Sequence, residues 1–397
     1  MAQVIQQYYN DYIHSPFITE SEFTELQEML RIVGFELEPM QLKTVLTELR
    51  AQAGLGSSLD LVPLIFQAEA EAQAEAEAQA EAAAEAGSGS YPDYISVLHS
   101  RELKGDQRTA EWKKLRHDFI TASVSAACAG LMGAAARENQ LLEKASFGAY
   151  SSFHGNYYTD IGNIFEPVTN SYYSYINNTR IHDFALIPSA DQEWHFLAAS
   201  TDGVAVRGTE LTNIEIKTLP GRVPDGKIKK VYYHQMQHQM ACLGLNHTDF
   251  IEVKYQQHQS LQELLDLQAT PNPNRLGRFV QPKPLVIGII AELWNIQGEC
   301  FNYEYSLAGS TATDLVSWQM ARDSIIRQSD AVLLVRWIYW SQSHYQCLRV
   351  QRDPNWLRDV GPALKKFYQE VLELRANPTK LQSMIQAKTS VFKECLI

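Results

Sequence analysis

Between Ser200 and Lys217 the chain is more restricted in what it can fold into than anywhere else. Ser200-Thr201-Asp202-Gly203 contains an Asp-Gly turn signal, and twelve residues then intervene before Glu215-Ile216-Lys217. If the second segment is a strand, Ile214 and Ile216 project to one face and Glu215 and Lys217 to the other. The apolar pair can then enter a core while the polar pair faces a cleft. Asp202 precedes this strand by about the length of a hairpin, which returns its carboxylate towards Glu215. Two carboxylates brought together repel unless something neutralises them. A divalent ion does so, and hard oxygen ligands suit Mg²⁺ or Mn²⁺, as one ion or two. The backbone carbonyl of Ile216 offers one more oxygen.

Lys217 beside such an ion is placed to orient an attacking water, and the ion would stabilise charge growing on a phosphate. An isolated Glu-x-Lys strand is otherwise an ordinary surface hairpin, so the flanks decide the reading. Upstream, Gly162-Asn163-Ile164-Phe165-Glu166-Pro167 lies in a helical stretch, and Glu166 is a third acid for the same ion or a second one. Downstream, Tyr232, Gln235 and Gln239 share one helix face at i, i+3 and i+7. A neutral glutamine there can hold a water or a phosphate oxygen without competing for a cation. Gln237 falls on a different face and is expected to be solvated. The candidate catalytic set is therefore Asp202, Glu215, Lys217, Glu166 and Gln235, with Asp202, Glu215, Glu166 and the Ile216 carbonyl as metal ligands.

The 397 residues suffice for one large domain or two ordinary ones, and 45% hydrophobic with 20% charged content describes a globular protein with a sizeable core. No apolar run approaches the ~20 residues of a membrane span. The N-terminal MAQVIQQYYNDYIHSP lacks the pattern of a secretory signal. Five scattered cysteines without a C-x-x-C pair favour a reducing compartment, so the expected location is intracellular, cytoplasmic or nuclear, without membrane attachment. The net charge of −12 argues against general polyanion binding. Two local basic strips, Arg108–Arg116 and Lys217–Lys230, leave room for nucleic acid in a defined groove.

Residues 1–66 predict a small helical unit. Thr19-Glu20-Ser21-Glu22 has capping-box form, and Pro39 opens a second amphipathic stretch. Residues 67–90 are an Ala/Glu/Gln repeat ending in Gly87-Ser88-Gly89-Ser90, which reads as a solvated linker. From residue 91 to 397 the composition is that of a folded α/β domain. Helices are expected over 106–118, 157–177, 230–245, 310–335 and 354–375. Strands are expected over 181–187, 194–199, 203–207, 211–218, 248–255, 285–294 and 301–306. A loop-rich insert carries Pro271, Pro273, Pro282 and Pro284.

Trp112, Arg116, Ile120-Thr121-Ala122-Ser123, Gly162…Glu166, Ser200-x-Asp202-Gly203, Glu215-x-Lys217 and Tyr232-x-x-Gln235-x-Gln237 occur in that order. This resembles the lambda-exonuclease / YqaJ viral-recombinase branch of the PD-(D/E)XK nucleases. The likeness covers about 105–255 and resumes weakly at Gln351-Arg352-Asp353 and the helix after Trp356. The segment 257–345 departs from the short bacteriophage form and resembles the longer versions of large DNA viruses. The resemblance implies an α/β fold with a restriction-endonuclease-like core, a mixed central sheet flanked by helices. It implies that Asp202 and Glu215 bind catalytic Mg²⁺, that Lys217 is the catalytic lysine and that Glu166 is a further acid. It also implies that Arg116, Ser123, Ser200 and Gln235 form a pocket for a terminal 5′-phosphate. The family often has proline before the first aspartate; here the residue is Thr201, which bears on the geometry of that loop.

The implied activity is 5′→3′ exonuclease action on double-stranded DNA ends, with a single-strand annealing protein as partner and homo-oligomers within reach. A DNA or RNA endonuclease of the alkaline-nuclease type, or a non-catalytic DNA-binding recombination scaffold, are the alternatives. His234 and His238 have the i,i+4 spacing of zinc ligands, but Gln235 stands where H-E-x-x-H needs glutamate. No P-loop or G-x-S-x-G elbow occurs.

Overall fold

The computed structural model describes residues 91–103, 110–151, 157–207, 210–269 and 286–394. The helices expected within 1–66, the Ala/Glu/Gln linker and the proline-rich stretch 271–284 lie outside the described residues. The described chain divides into two compact units, one built from Asp93–Gln256 and the chain from Ser341 onward, the other from Gln257–Trp340.

The first unit begins with helices α1 (Tyr91–Arg101) and α2 (Ala110–Leu115), then strand β1 (Ile120–Thr121) and helices α3 (Ser125–Cys128), α4 (Ala134–Ala145) and α5 (Tyr157–Asn177). Short strands β2 (Ile181–His182), β3 (Ile187–Pro188) and β4 (Leu197–Ala199) follow, then β5 (Gly203–Arg207) and β6 (Glu210–Thr218). Helix α6 (Lys230–Leu243) and strand β7 (His247–His258) come next. β5 and β6 form an antiparallel hairpin in which Gly203 opposes Ile214. β6 and β7 run parallel, with Glu215 opposite Phe250 and Lys217 opposite Glu252. The sheet is therefore mixed. β1, β4 and β3 form a separate three-stranded sheet.

The expected alternation in β6 is present, and both of its faces are covered. Ile214 and Ile216 pack with Tyr173 of α5 and with Ala205, Ile251 and Val253. On the opposite side Phe250 packs with Met236 and Met240 of α6 and with Val350. Gly244 ends α6 in the left-handed conformation, the usual way to satisfy a last-turn carbonyl, here that of Met240.

A third core cluster joins α4 and α6 to helix α9 (Trp356–Arg375). In it Leu364 and Phe367 are fully buried beside Phe196, Leu197 and Cys242. Helix α10 (Pro378–Glu394) closes the described chain.

The second unit holds α7 (Leu261–Ala269), β8 (Ile287–Asn295), β9 (Cys300–Tyr305) and α8 (Ala312–Gln328), plus the first part of β10 (Val332–Gln351). Its core comprises Leu264, Ile287, Ile289 and Leu315, with a smaller cluster of Ala291, Leu293 and Ile326. Thr311 and Asp314 close a capping box that starts α8. The helix expected over 310–335 thus stops at Gln328, and the chain continues as a twenty-residue strand. The insert is richer in regular structure than its prolines suggest.

Candidate active site

The register of the β5–β6 hairpin, carried one residue past Gly203, sets Asp202 opposite Glu215. The Asp202 N–H donates to the Ile214 carbonyl at 3.3 Å, and an Asp202 carboxylate oxygen accepts from the Ile216 N–H at 2.7 Å. A residue's N–H and C=O point to the same edge of a strand. The Ile216 carbonyl therefore faces the side from which Asp202 approaches, beyond the start of β5. Two further contacts hold the turn. The Asn170 amide donates to the Asp202 carbonyl at 2.6 Å. The Thr201 hydroxyl lies within reach of the Asn213 side-chain oxygen at 2.5 Å and the Gly203 carbonyl at 2.7 Å, and it accepts from the Gly203 N–H at 3.1 Å. Threonine before the aspartate thus fixes the loop through its hydroxyl. Gly203 is required for close approach: a Cβ there would meet the Ile181 side chain at 2.3 Å, with φ at +154°.

Glu215 faces α6 and is fully buried, which corrects the expectation of an open cleft on that face. Burying a carboxylate is costly unless hydrogen bonds replace its water. Here Lys217 donates to it, Gln235 donates at 2.8 Å and Gln239 donates at 2.6 Å. Lys217 also lies over the Tyr232 ring, 5.2 Å from its centroid. Burial works against the Lys217 charge, but Glu215 and Asp202 outweigh it and hold the ammonium above the ordinary lysine range. Asp202 behaves oppositely. Burial first, then the neighbouring Glu215 and Glu166, push its carboxyl well above the usual range, against the pull of Lys217 and the Ile216 N–H. Three acids crowd one ammonium, so the site is short of positive charge.

Glu166 lies on α5, ahead of Pro167, and lines a cavity of about 550 Å³ together with Asp202, Asn170, Glu102 and Asp183. Among the described residues no three carboxylate, imidazole or thiol groups already stand in a metal-ligating cluster. The donor chemistry nevertheless suits a hard divalent ion, since Asp202, Glu166, Glu215 and the Ile216 carbonyl offer only oxygens.

A second group gathers around Trp112. The Arg116 guanidinium stacks over the Trp112 ring at 4.4 Å and donates to the Ser123 hydroxyl at 3.0 Å. The Trp112 indole donates to the Ser200 hydroxyl at 3.3 Å. Arg116, Ser123 and Ser200 are thus brought together, whereas the Gln235 amide is spent on Glu215. Lys144, buried beneath, donates to the Arg116 carbonyl, and Arg375 donates to the carbonyls of His117 at 2.8 Å and Lys144 at 2.9 Å.

Gln237 corrects the expectation of a solvated side chain. It is buried, donates to the Gln351 carbonyl at 2.8 Å and accepts from the Asp353 N–H at 2.7 Å, tying α6 to the entry of α9. His234 accepts from the Trp356 indole at 2.9 Å, which is the satisfied role that competes with zinc ligation. Gln239 does not face solvent to hold a phosphate oxygen. With Asn213 it forms a buried polar layer under the site. The signal for that layer was present in the polar positions 213, 215 and 217 of one strand face.

Several known proteins are similar to this chain. An uncharacterised protein of Acanthamoeba polyphaga mimivirus, R354, is 23% identical over 310 residues, covering 71% of this chain and 55% of the relative. The chain thus spans about half the length of that relative. A crystal structure of an alkaline exonuclease from Laribacter hongkongensis, LHK-Exo, aligns at 19% identity, covering 71% of this chain and 100% of that one, with a TM-score of 0.38. A phage-related exonuclease from Haemophilus somnus 129PT aligns at 14% identity, covering 66% and 96%, with a TM-score of 0.33. Residues 111–248, which hold the side chains of the site just described from Trp112 to Gln239, match the family model of the YqaJ-like viral recombinase domain.

Proposed function

We propose that this chain is a divalent-metal-dependent exonuclease that degrades double-stranded DNA ends in the 5′→3′ direction and leaves 3′ single strands for recombination. The observation that carries the reading is the meeting of Asp202, Glu215 and Lys217 where the chain enters β5 beside β6, with Glu166 close enough to raise the Asp202 carboxyl.

Mg²⁺, or Mn²⁺ in its place, would be held by Asp202, Glu166, Glu215 and the Ile216 carbonyl and supplies Lewis-acid polarisation of the scissile phosphate when bound. Lys217, kept charged by its acidic neighbours, orients the attacking water and stabilises negative charge developing on the phosphate oxygens. Gln235 holds Glu215 in one rotamer. Arg116 offers a fork of donors to a terminal 5′-phosphate, joined by the Ser123 and Ser200 hydroxyls. Trp112 stacking keeps the fork in place. Anchoring the terminal phosphate decides which bond lies at the hydrolytic residues, which gives polarity. A 3′ single-stranded product suits a single-strand annealing protein as its recipient.

The test is digestion of end-labelled linear duplex, circular duplex and RNA, with Mg²⁺ or with EDTA. Linear duplex alone should be consumed, from 5′-phosphorylated ends, and only with Mg²⁺. Lys217→Ala should retain duplex binding while nucleotide release falls by about 10³-fold or more, on the scale of losing one transition-state donor. Cutting of circles or RNA favours an endonuclease, no cutting favours a scaffold, and full activity of Lys217→Ala refutes the assignment.

A further inference from the structure

Gln239 lies one turn beyond Gln235 on α6 and is fully buried. Its amide nitrogen donates to Glu215 at 2.6 Å and to the Ser200 carbonyl at 3.1 Å. Its oxygen accepts from the Asn213 amide at 3.1 Å. Asn213, also fully buried, is itself oriented, since its amide donates to the Thr248 hydroxyl at 3.0 Å and its oxygen faces the Thr201 hydroxyl at 2.5 Å. Each amide in this chain of contacts therefore has one orientation that leaves no donor facing a donor. The layer touches Glu215 on one side and the backbone of Ser200 on the other.

We infer that Gln239 is a positioning residue that locks the Glu215 carboxylate against the Ser200 backbone, so that the hydrolytic carboxylate is held in register with the terminal-phosphate group. The inference rests on the nuclease reading above. A buried donor that orients a ligating carboxylate acts on catalysis and cation affinity, not on affinity for the DNA end. Arg116 is held by the Trp112 ring and by the Ser123 hydroxyl rather than by this layer, so end recognition should survive its loss.

The test uses the full chain with Gln239→Met, close in size and without the amide, and Asn213→Ser, which loosens Gln239 without touching Glu215. Steady-state digestion of 5′-phosphorylated and 5′-hydroxyl duplex is combined with Mn²⁺ binding followed by electron paramagnetic resonance. For Gln239→Met, kcat should fall and the Mn²⁺ Kd rise, each by about 10–100-fold. The KM ratio between 5′-phosphorylated and 5′-hydroxyl ends should stay at the wild-type value. Asn213→Ser should move both quantities in the same direction by less, and it decides the matter if Gln239→Met fails to fold. Wild-type kcat and Mn²⁺ affinity in a folded variant overturn the inference alone. A shift in KM discrimination without a change in kcat overturns it too, by placing Gln239 in the phosphate pocket. A wild-type chain that cuts no DNA removes the nuclease reading and this inference with it.

Discussion

Lys144 is buried among cations, and its ammonium donates to a backbone carbonyl of Arg116. Burial, reinforced by Arg116 and Arg375 against the opposing pull of Cys128 and Glu143, lowers its pKa to about 8. A lysine whose folded pKa is depressed costs stability wherever it is charged in both states, which is below about pH 8. As the pH rises from about 8 towards the ordinary lysine range, the folded form sheds the proton while the unfolded form keeps it, so stability is gained. Urea unfolding of the wild type and Lys144→Met should therefore show the wild type gaining on the variant between about pH 7.5 and 9.5, by on the order of 2 kcal/mol. A difference that does not change with pH would show that Lys144 keeps an ordinary pKa. Sequence reading at this scale singled out the acids and Lys217 from the chemistry of their own side chains, and Arg116 through the family resemblance. It gave no role to Lys144, whose burial beneath Arg116 depends on α4 packing under the segment after α2.

At the scale of elements, alternation worked where one side of a strand had a single character. Positions 214 and 216 against 215 and 217 predict β6, and the apolar stripe of Trp356, Val360, Leu364, Phe367 and Val371 predicts α9, where all but the partly buried Val360 are buried. In α9, Leu364→Ala should cost about 2–5 kcal/mol, because Leu364 is fully buried in the cluster that holds Phe196, Leu197 and Phe367. Leu372→Ala, 46% exposed on the same helix, should change stability by less than about 0.5 kcal/mol. Equal costs in denaturant melts would contradict the described packing. β10 was missed for a physical reason. Its run Val332–Trp340 is apolar apart from Arg336, a pattern that a buried helix and a two-sided strand share. Only the Ser329-Asp330 break after α8 and the β-branched and aromatic content separate them.

For the whole molecule, the proposed hydrolytic and phosphate-binding side chains and the polar layer that holds Glu215 come from residues 112–248. Deletion of residues 1–90 should therefore leave a chain that still consumes linear duplex at the wild-type rate per folded molecule. Sedimentation of the two forms would show any change of assembly, and loss of cutting from a folded deletion variant would contradict a self-contained site. What the amino-acid order determined by itself was local. It set the alternation of β6, the turn at Asp202-Gly203, the helix face of Gln235 and Gln239, and the succession of motifs that resembles a nuclease family. These follow from backbone periodicity and side-chain chemistry within a few residues. What only the tertiary structure decided was which polar groups lose their water. Gln239 reaches Glu215 across 24 residues of sequence, and Asn213 reaches Thr248 across 35. Sequence periodicity marks a face as polar; whether that face meets solvent or another buried face depends on which helix packs over it.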